Sequence, residues 1–282
     1  MNRYYEEILS LPEKGTMGNV LAKWEQLHER MQEGRVKTRH LLPEIFLLGA
    51  PGIGRSHLLS LIAGYLDDTK LLEFLGERKF FEFRPEYCPE HENFMELNRF
   101  VNKLSEAAGF RNEFKGIICI ELDEWVEHFK EKYFTVFIEY LEEHCDNWLL
   151  MFSVNWTDKD VEELFSYLSM YFRLDKVILS MPTGEEYIEY LEEFLGEQGF
   201  ALAKAAKDVL LISIEELKKS PLFDGYKSIN RLGLDIAYEM YTGDVFEEGI
   251  ILAKDVMTFA ADSEYIRTMV RNYEKKRQIG FL

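Results

Sequence analysis

Apolar positions recur with two different periods along this chain, and the change falls near residue 182. Before it, strand-length apolar segments at 45–48, 79–83, 148–154 and 176–181, and one that starts at Gly116, alternate with stretches of helical spacing. Leu58, Leu59, Leu61, Ile62 and Leu66 fill one face of a helix over 57–66, and Leu97, Val101 and Leu104 do the same over 94–108. Further helices are predicted over 133–141 and 158–170. Ile45 to Leu48 is unbroken, as expected of a parallel strand buried on both faces. Such alternation predicts an α/β fold, a doubly wound parallel sheet of about five strands with helices on both faces.

Ahead of the first strand, Leu21, Trp24, Leu27, His28 and Met31 lie on one helical face, with Gly15 and Gly18 as breaks before it. Beyond residue 182 the pattern becomes helix only, over 185–195, 203–217, 229–241 and 254–273, broken at Gly184, Gly199, 221–225 and Gly243. Three parts are therefore expected: a helical N-terminal extension over 1–42, an α/β domain over 43–182 and an all-helical lid domain over 183–282.

The junction of the first strand with its helix carries the most specific chemistry. Gly49, Gly54, Arg55 and Ser56 stand at the spacing of the phosphate loop G-x-x-x-x-G-K-[ST], in which backbone N–H groups cradle phosphate at a helix N-terminus. Strand before and helix after meet the context this motif requires. Pro51, Gly52, Ile53 and His57 complete the candidate binding segment. Arg55 replaces the motif's lysine, a planar fork in place of a compact ammonium, so binding and turnover become separate questions.

A magnesium-bound nucleotide also needs a carboxylate at a neighbouring strand end and a group that orients water. Two registers are open for the segment that follows Gly116. If the strand is confined to Ile117–Ile120, Glu121 takes the metal position and Leu122 falls where the water-activating acid belongs. If it runs on to Leu122, Asp123 and Glu124 form the acidic pair, and Glu121 lies inside a central strand at a desolvation cost. Glu121 and Asp123 would share a face if extended. A helix cap is the plainer role for these acids.

The order of phosphate loop, acidic strand end, strand ending at Asn155, arginine before the next strand and four-helix lid resembles the AAA+ ATPases over roughly residues 40–260. The lid looks most like the CbxX/CfxQ and Rubisco-activase-like group or the archaeal Orc/Cdc6-like ATPases. The resemblance implies ATP or ADP with Mg²⁺ as cofactors, and metal ligation by Ser56 with Glu121 or Asp123. It further implies Glu124 as the water-orienting acid, Asn155 as the sensor of attacking water and γ-phosphate, Arg173 as a residue reaching a neighbour's nucleotide, and Arg231 as the lid sensor. Plainer roles are a helix cap for Asn155 and surface ion pairs for the two arginines. No aromatic-hydrophobic-Gly pore loop is evident after the second strand, which favours a slow ATPase or a switch over an unfoldase.

Charge narrows the partners. The 282 residues include 51 acidic and 33 basic ones, a net charge of −18, which opposes nucleic acid as a direct partner and favours a protein client. The basic clusters are Lys218-Lys219 and 271–277. Cys88, Cys119 and Cys145 are odd in number and dispersed, which argues against a disulfide framework. Cys88-x-x-His91 and His144-Cys145 lack the paired spacing of a zinc site. Without a membrane-length apolar stretch or a signal-like N-terminus, a cytoplasmic location is expected. The expected function is an oligomeric nucleotide-binding protein that regulates or remodels a protein partner; the alternative is a catalytically inactive scaffold of the same fold. A nucleotide kinase is disfavoured, because the helical C-terminal part has no arginine-rich acceptor lid.

Overall fold

The strand-length segments become β1 (Glu44–Leu48), β2 (Phe80–Phe83), β3 (Gly116–Glu121), β4 (Trp148–Val154) and β5 (Leu174–Ile178). They were placed by a computed structural model that describes residues 2–34, 41–87, 94–109, 113–155, 160–220, 222–242 and 249–259. All five are parallel and lie in the order β2-β3-β4-β1-β5. The helices of this part are α1 (Arg3–Ser10), α2 (Met17–Gln32), α3 (Arg55–Thr69), α4 (Phe94–Ala108), α5 (Lys132–His144) and α6 (Val161–Leu168). The described residues up to Ala50 and from Arg55 to Ser180 form one compact unit; residues 51–54 and the described residues from Met181 onward form a second.

In the first unit the sheet is buried on both faces. One face carries Phe46, Ile118, Ile120, Leu150 and Phe152, which join the apolar sides of α4, α5 and α6 in one core. Phe100 is its hub: fully buried on α4, its ring lies 5.1 Å from Phe83 and 5.4 Å from Phe137, both edge-on. The opposite face meets α3, buried along most of its length. The outer side of α3 is covered in turn by the N-terminal helices, where Trp24 stacks on Tyr65 and the Tyr65 hydroxyl donates to Glu25 at 2.7 Å. Burial, with Glu25 beside it, raises the Tyr65 pKa. Tyr4 packs against Gly64, so the N-terminal tyrosines serve this contact.

Residues 13–16 cover the open edge of the sheet. Thr16 N donates to Ile178 O at 2.9 Å, Ile178 N donates to Thr16 Oγ1 at 2.8 Å, and Ser180 N donates to Glu13 O at 3.1 Å. An exposed strand edge is a site for unwanted pairing, and this segment occupies it. Gly15 permits the approach: its φ is +50°, and a β-carbon there would stand 1.7 Å from Ile178 O.

The second unit contains α7 (Gly184–Glu197), α8 (Lys204–Leu217), α9 (Gly225–Thr242) and α10 (Ala253–Phe259). Thr183 and Glu186 form a capping box that starts α7. Leu191, Leu195, Leu210, Ile229, Leu232 and Ile236 supply its core. The expectation of helix alone fails in one detail. Ala201–Leu202 and Ile250–Ile251 form a parallel pair, β6 and β7, too short to leave a periodic signal.

Other boundaries shift modestly. β5 begins and ends earlier than its apolar run suggests, because pairing of Glu44 with Leu174 sets its start and Ser180 turns to Glu13. Gly18 lies inside α2 instead of breaking it. Cys88, His91, the basic segments 35–40 and 271–277, Pro221, Gly243 and the distal part of the last expected helix lie outside the described residues. Among the described residues, no group of three or more His, Cys, Asp or Glu is arranged to hold a metal ion, and no helix is long and apolar enough to cross a membrane.

Phe100→Ala should remove the hub of the aromatic cluster and destabilise the first unit by about 3–5 kcal/mol. Urea unfolding followed by tryptophan fluorescence would show a lower midpoint at an unchanged slope; an unchanged midpoint would mean that the cluster can close over the gap.

Candidate nucleotide-binding site

β1 delivers the chain to the edge of the sheet where its carboxyl end lies. Gly49 N donates to Val154 O at 3.3 Å, the last bond before the loop turns away. Gly52 and Gly54 then take left-handed φ values of +72° and +89°, and α3 begins at Arg55. Left-handed glycines ahead of a helix N-terminus are the backbone of an anion-binding nest. Ile53 is buried and anchors the turn, whereas Pro51, Ser56 and His57 are exposed. Residues 51–54 group with the second unit, within which Tyr226 N donates to Gly52 O at 2.9 Å. The two backbones are in close contact: a β-carbon on Gly52 would stand 2.1 Å from Asp224 O.

The face of the sheet under the start of α3 is polar. Glu82 on β2 is in register with Cys119 on β3, and Glu121, two residues on and hence on the same face, is in register with Ser153 on β4. Arg55 Nη1 donates to Ser153 Oγ, and the serine is completely buried. Ser56 Oγ donates to Glu82 Oε1 at 3.1 Å. Beneath them, burial pushes the Cys119 thiol up to about 12; Glu82 adds to the rise and Arg55 opposes it. With Glu121, which also raises it, three charged groups act on one buried position.

The acidic strand end falls between the two expected registers: the strand includes Glu121 but does not reach Leu122. β3 ends at Glu121, which is half-buried, and Leu122 leaves the extended conformation at φ −102°, ψ 14°. Leu122 is fully buried in the aromatic core, held by a bond from its N–H to Ser153 O at 2.8 Å. Because the backbone turns at Leu122, Glu121 and Asp123 do not share an extended face. Asp123 instead accepts from Asn155 N at 2.6 Å and from Asn155 Nδ2 at 2.9 Å. Among the described residues, the buried Asn155 Oδ1 has no hydrogen-bond partner. Glu124 accepts from Arg84 at 2.9 Å and from Tyr87 N at 3.1 Å, and so joins the end of β2 to the short turn after β3.

The two distant arginines lie elsewhere. Arg173 precedes β5 at the opposite edge of the sheet, exposed, with its guanidinium donating to Leu41 O. β1 is five residues long, so that edge is roughly 16 Å from the loop at about 3.3 Å per residue. Arg173 therefore cannot serve the loop of its own chain. Arg231 is exposed on α9 in the second unit.

Sequence reading missed Glu82 and Ser153. Glu82 sits in Phe-Phe-Glu-Phe, where apolar alternation already implies that the acid faces opposite to its neighbours. Ser153 is the one hydroxyl in an otherwise apolar strand, but its importance depends on which strand adjoins β1.

No protein-family model and no curated protein sequence matches the chain. Solved structures do resemble it. The Thermotoga maritima RuvB Holliday junction branch migration motor matches with a TM-score of 0.52 and 15% identity, over 89% of this chain and 72% of that one. PCH-2 of C. elegans matches with a TM-score of 0.52 and 14% identity, over 96% and 74%. The five-stranded parallel sheet and its helices thus have the AAA+ P-loop NTPase fold.

Gly52→Ala should cost at least about 2 kcal/mol, since a left-handed alanine is strained and its β-carbon would meet the Asp224 carbonyl. Gly196→Ala, in α7 with open space around it, should instead gain about 0.5–1 kcal/mol. Thermal unfolding of the two variants beside the parent tests the contrast, and a neutral Gly52→Ala would refute the close contact.

Proposed function

We propose that this chain is a nucleotide-binding switch: it holds an adenine nucleotide at the 49–56 loop, turns it over slowly or not at all, and passes its nucleotide state to a protein partner. The observation that carries this reading is the end of β3. The position after Glu121 is the fully buried Leu122, and Glu124 is held by Arg84 and Tyr87 N, so the strand end presents no acid poised to activate water. The backbone turn of Gly52 to Gly54 and the start of α3 are the groups that would hold phosphates.

The magnesium site expected from sequence fits the residues poorly. Ser56 and Glu121 are oxygen donors of the right class. Asp123, however, is spent on Asn155, and Arg55 places a guanidinium at Ser153, in register with Glu121. The nucleotide is therefore held by backbone amides and Arg55. The backbone N–H and one of the two side-chain N–H groups of Asn155 go to Asp123, which narrows any sensor role to the remaining side-chain N–H.

Arg173, exposed and far from its own loop, is suited to act on a neighbouring copy, which supports oligomers. RuvB is a Holliday junction motor; the excess of 51 acidic over 33 basic residues here favours a protein client instead. An inactive scaffold is the second reading, favoured by Arg55 being engaged within the protein.

Isothermal titration with ATP and ADP, beside a phosphate-release assay over a range of protein concentrations, tests the switch. Binding should weaken at least tenfold in Arg55→Ala, and release should stay below about 0.1 s⁻¹, two decades under a typical enzyme. Rapid release that grows more steeply than protein concentration would restore an oligomeric ATPase. Absence of nucleotide binding would leave the scaffold.

A further inference from the structure

We infer that Arg55 takes the place of the divalent cation, so that the loop binds nucleotide without magnesium and holds a nucleoside diphosphate at least as well as a triphosphate. This deepens the switch reading and rests on it. In a phosphate loop with lysine, the ammonium reaches the terminal phosphates, the serine hydroxyl serves the metal and a strand-end carboxylate supports it. Here the cation and the hydroxyl have other engagements, and the carboxylate has the anchored guanidinium at the neighbouring strand position. The guanidinium is fixed on Ser153 Oγ, the hydroxyl of Ser56 is directed to Glu82, and Glu121 is the register partner of the serine that anchors the arginine.

Fixed on β4, Arg55 brings a permanent charge of +1 to the strand position beside Glu121. It cannot lose its proton, and of its five N–H donors the bond to Ser153 uses one. The others can meet phosphate oxygen, while the carboxylates of Glu82 and Glu121 balance the charge when no ligand is bound. A divalent cation entering at Glu121 would meet the positive charge that Arg55 carries to the neighbouring strand position, and Asp123, which accepts both of its bonds from Asn155, is directed elsewhere. The γ-phosphate, which relies on metal in the lysine form of the loop, gains least. The backbone turn of Gly52 and Gly54, which serves the inner phosphates, is intact.

The test is titration of the full chain with ADP and with ATP, each in excess Mg²⁺ and in EDTA, for the parent, Ser153→Ala and Arg55→Lys. The parent should change affinity less than about threefold between Mg²⁺ and EDTA, and should bind ADP no more weakly than ATP. Arg55→Lys should acquire at least a tenfold gain from Mg²⁺, selective for ATP. Ser153→Ala, which frees the guanidinium but removes only a hydroxyl, should move in the same direction. If the parent already binds Mg·ATP tenfold more tightly than ATP in EDTA, the inference is overturned while the nucleotide-switch reading stands. If Arg55→Lys gains nothing from Mg²⁺, Arg55 is not what displaces the cation and the inference also fails. If no nucleotide binds under any condition, both readings fall together.

Discussion

The placement of β4 between β1 and β3 governs the chemistry of this molecule. Adjacent strands are about 4.8 Å apart, so the loop at the end of β1 and the acid at the end of β3 are separated by about 10 Å of sheet. What bridges them must come from β4 or reach across it. Ser153 is the polar side chain β4 offers on that face, and Arg55 is long enough to reach it. Asn155, the first residue after the same strand, holds Asp123. One inserted strand thus decides where both the cation of the loop and the second acid are directed.

Burial of the two faces is unequal in kind. The α4–α6 side is packed with aromatic rings, whereas the buried residues of α3 on the other side are mainly aliphatic and its first turn meets polar groups. Strand alternation assigns residues to these faces without exception at the end of β3: Cys119 and Glu121 face α3, whereas Ile120 faces the aromatic core. Leu122, although past the strand, continues into that core. Its position is therefore fixed by packing as well as by chemistry.

Much of this was legible in the sequence. The glycine turn between β1 and α3, the alternation of strand and helix and the change of pattern near residue 182 depend on local spacing, which survives without any knowledge of tertiary contacts. Strand order is not local. Nothing between residues 44 and 154 announces that β4 adjoins β1, so the link from Arg55 to Ser153 could not be read in advance. The register at Glu121 was open for a related reason: Ile120-Glu121-Leu122 is compatible with a strand ending at either side of the acid, and the turn at Leu122 is set by core burial. β6 and β7 escaped because two-residue strands have no period.

The arrangements at Arg55, Leu122 and Asn155 are physically coupled. A carboxylate placed at 122 would enter a core lined by Trp125, Phe134 and Phe152, where an unpaired charge costs several kcal/mol and would protonate instead. A carboxylate there could ionise only if the turn after β3 rotated outward, and that turn is held by the bond from Leu122 N to Ser153 O and by the pair of bonds between Asp123 and Asn155. Ser153 is in turn the anchor of Arg55. Activating water at this edge would therefore require the strand end, the asparagine and the loop arginine to change together, whereas holding a nucleotide requires only the backbone turn and the guanidinium. Under the proposed reading, that asymmetry lets a nucleotide be held at a site whose strand end is built for packing.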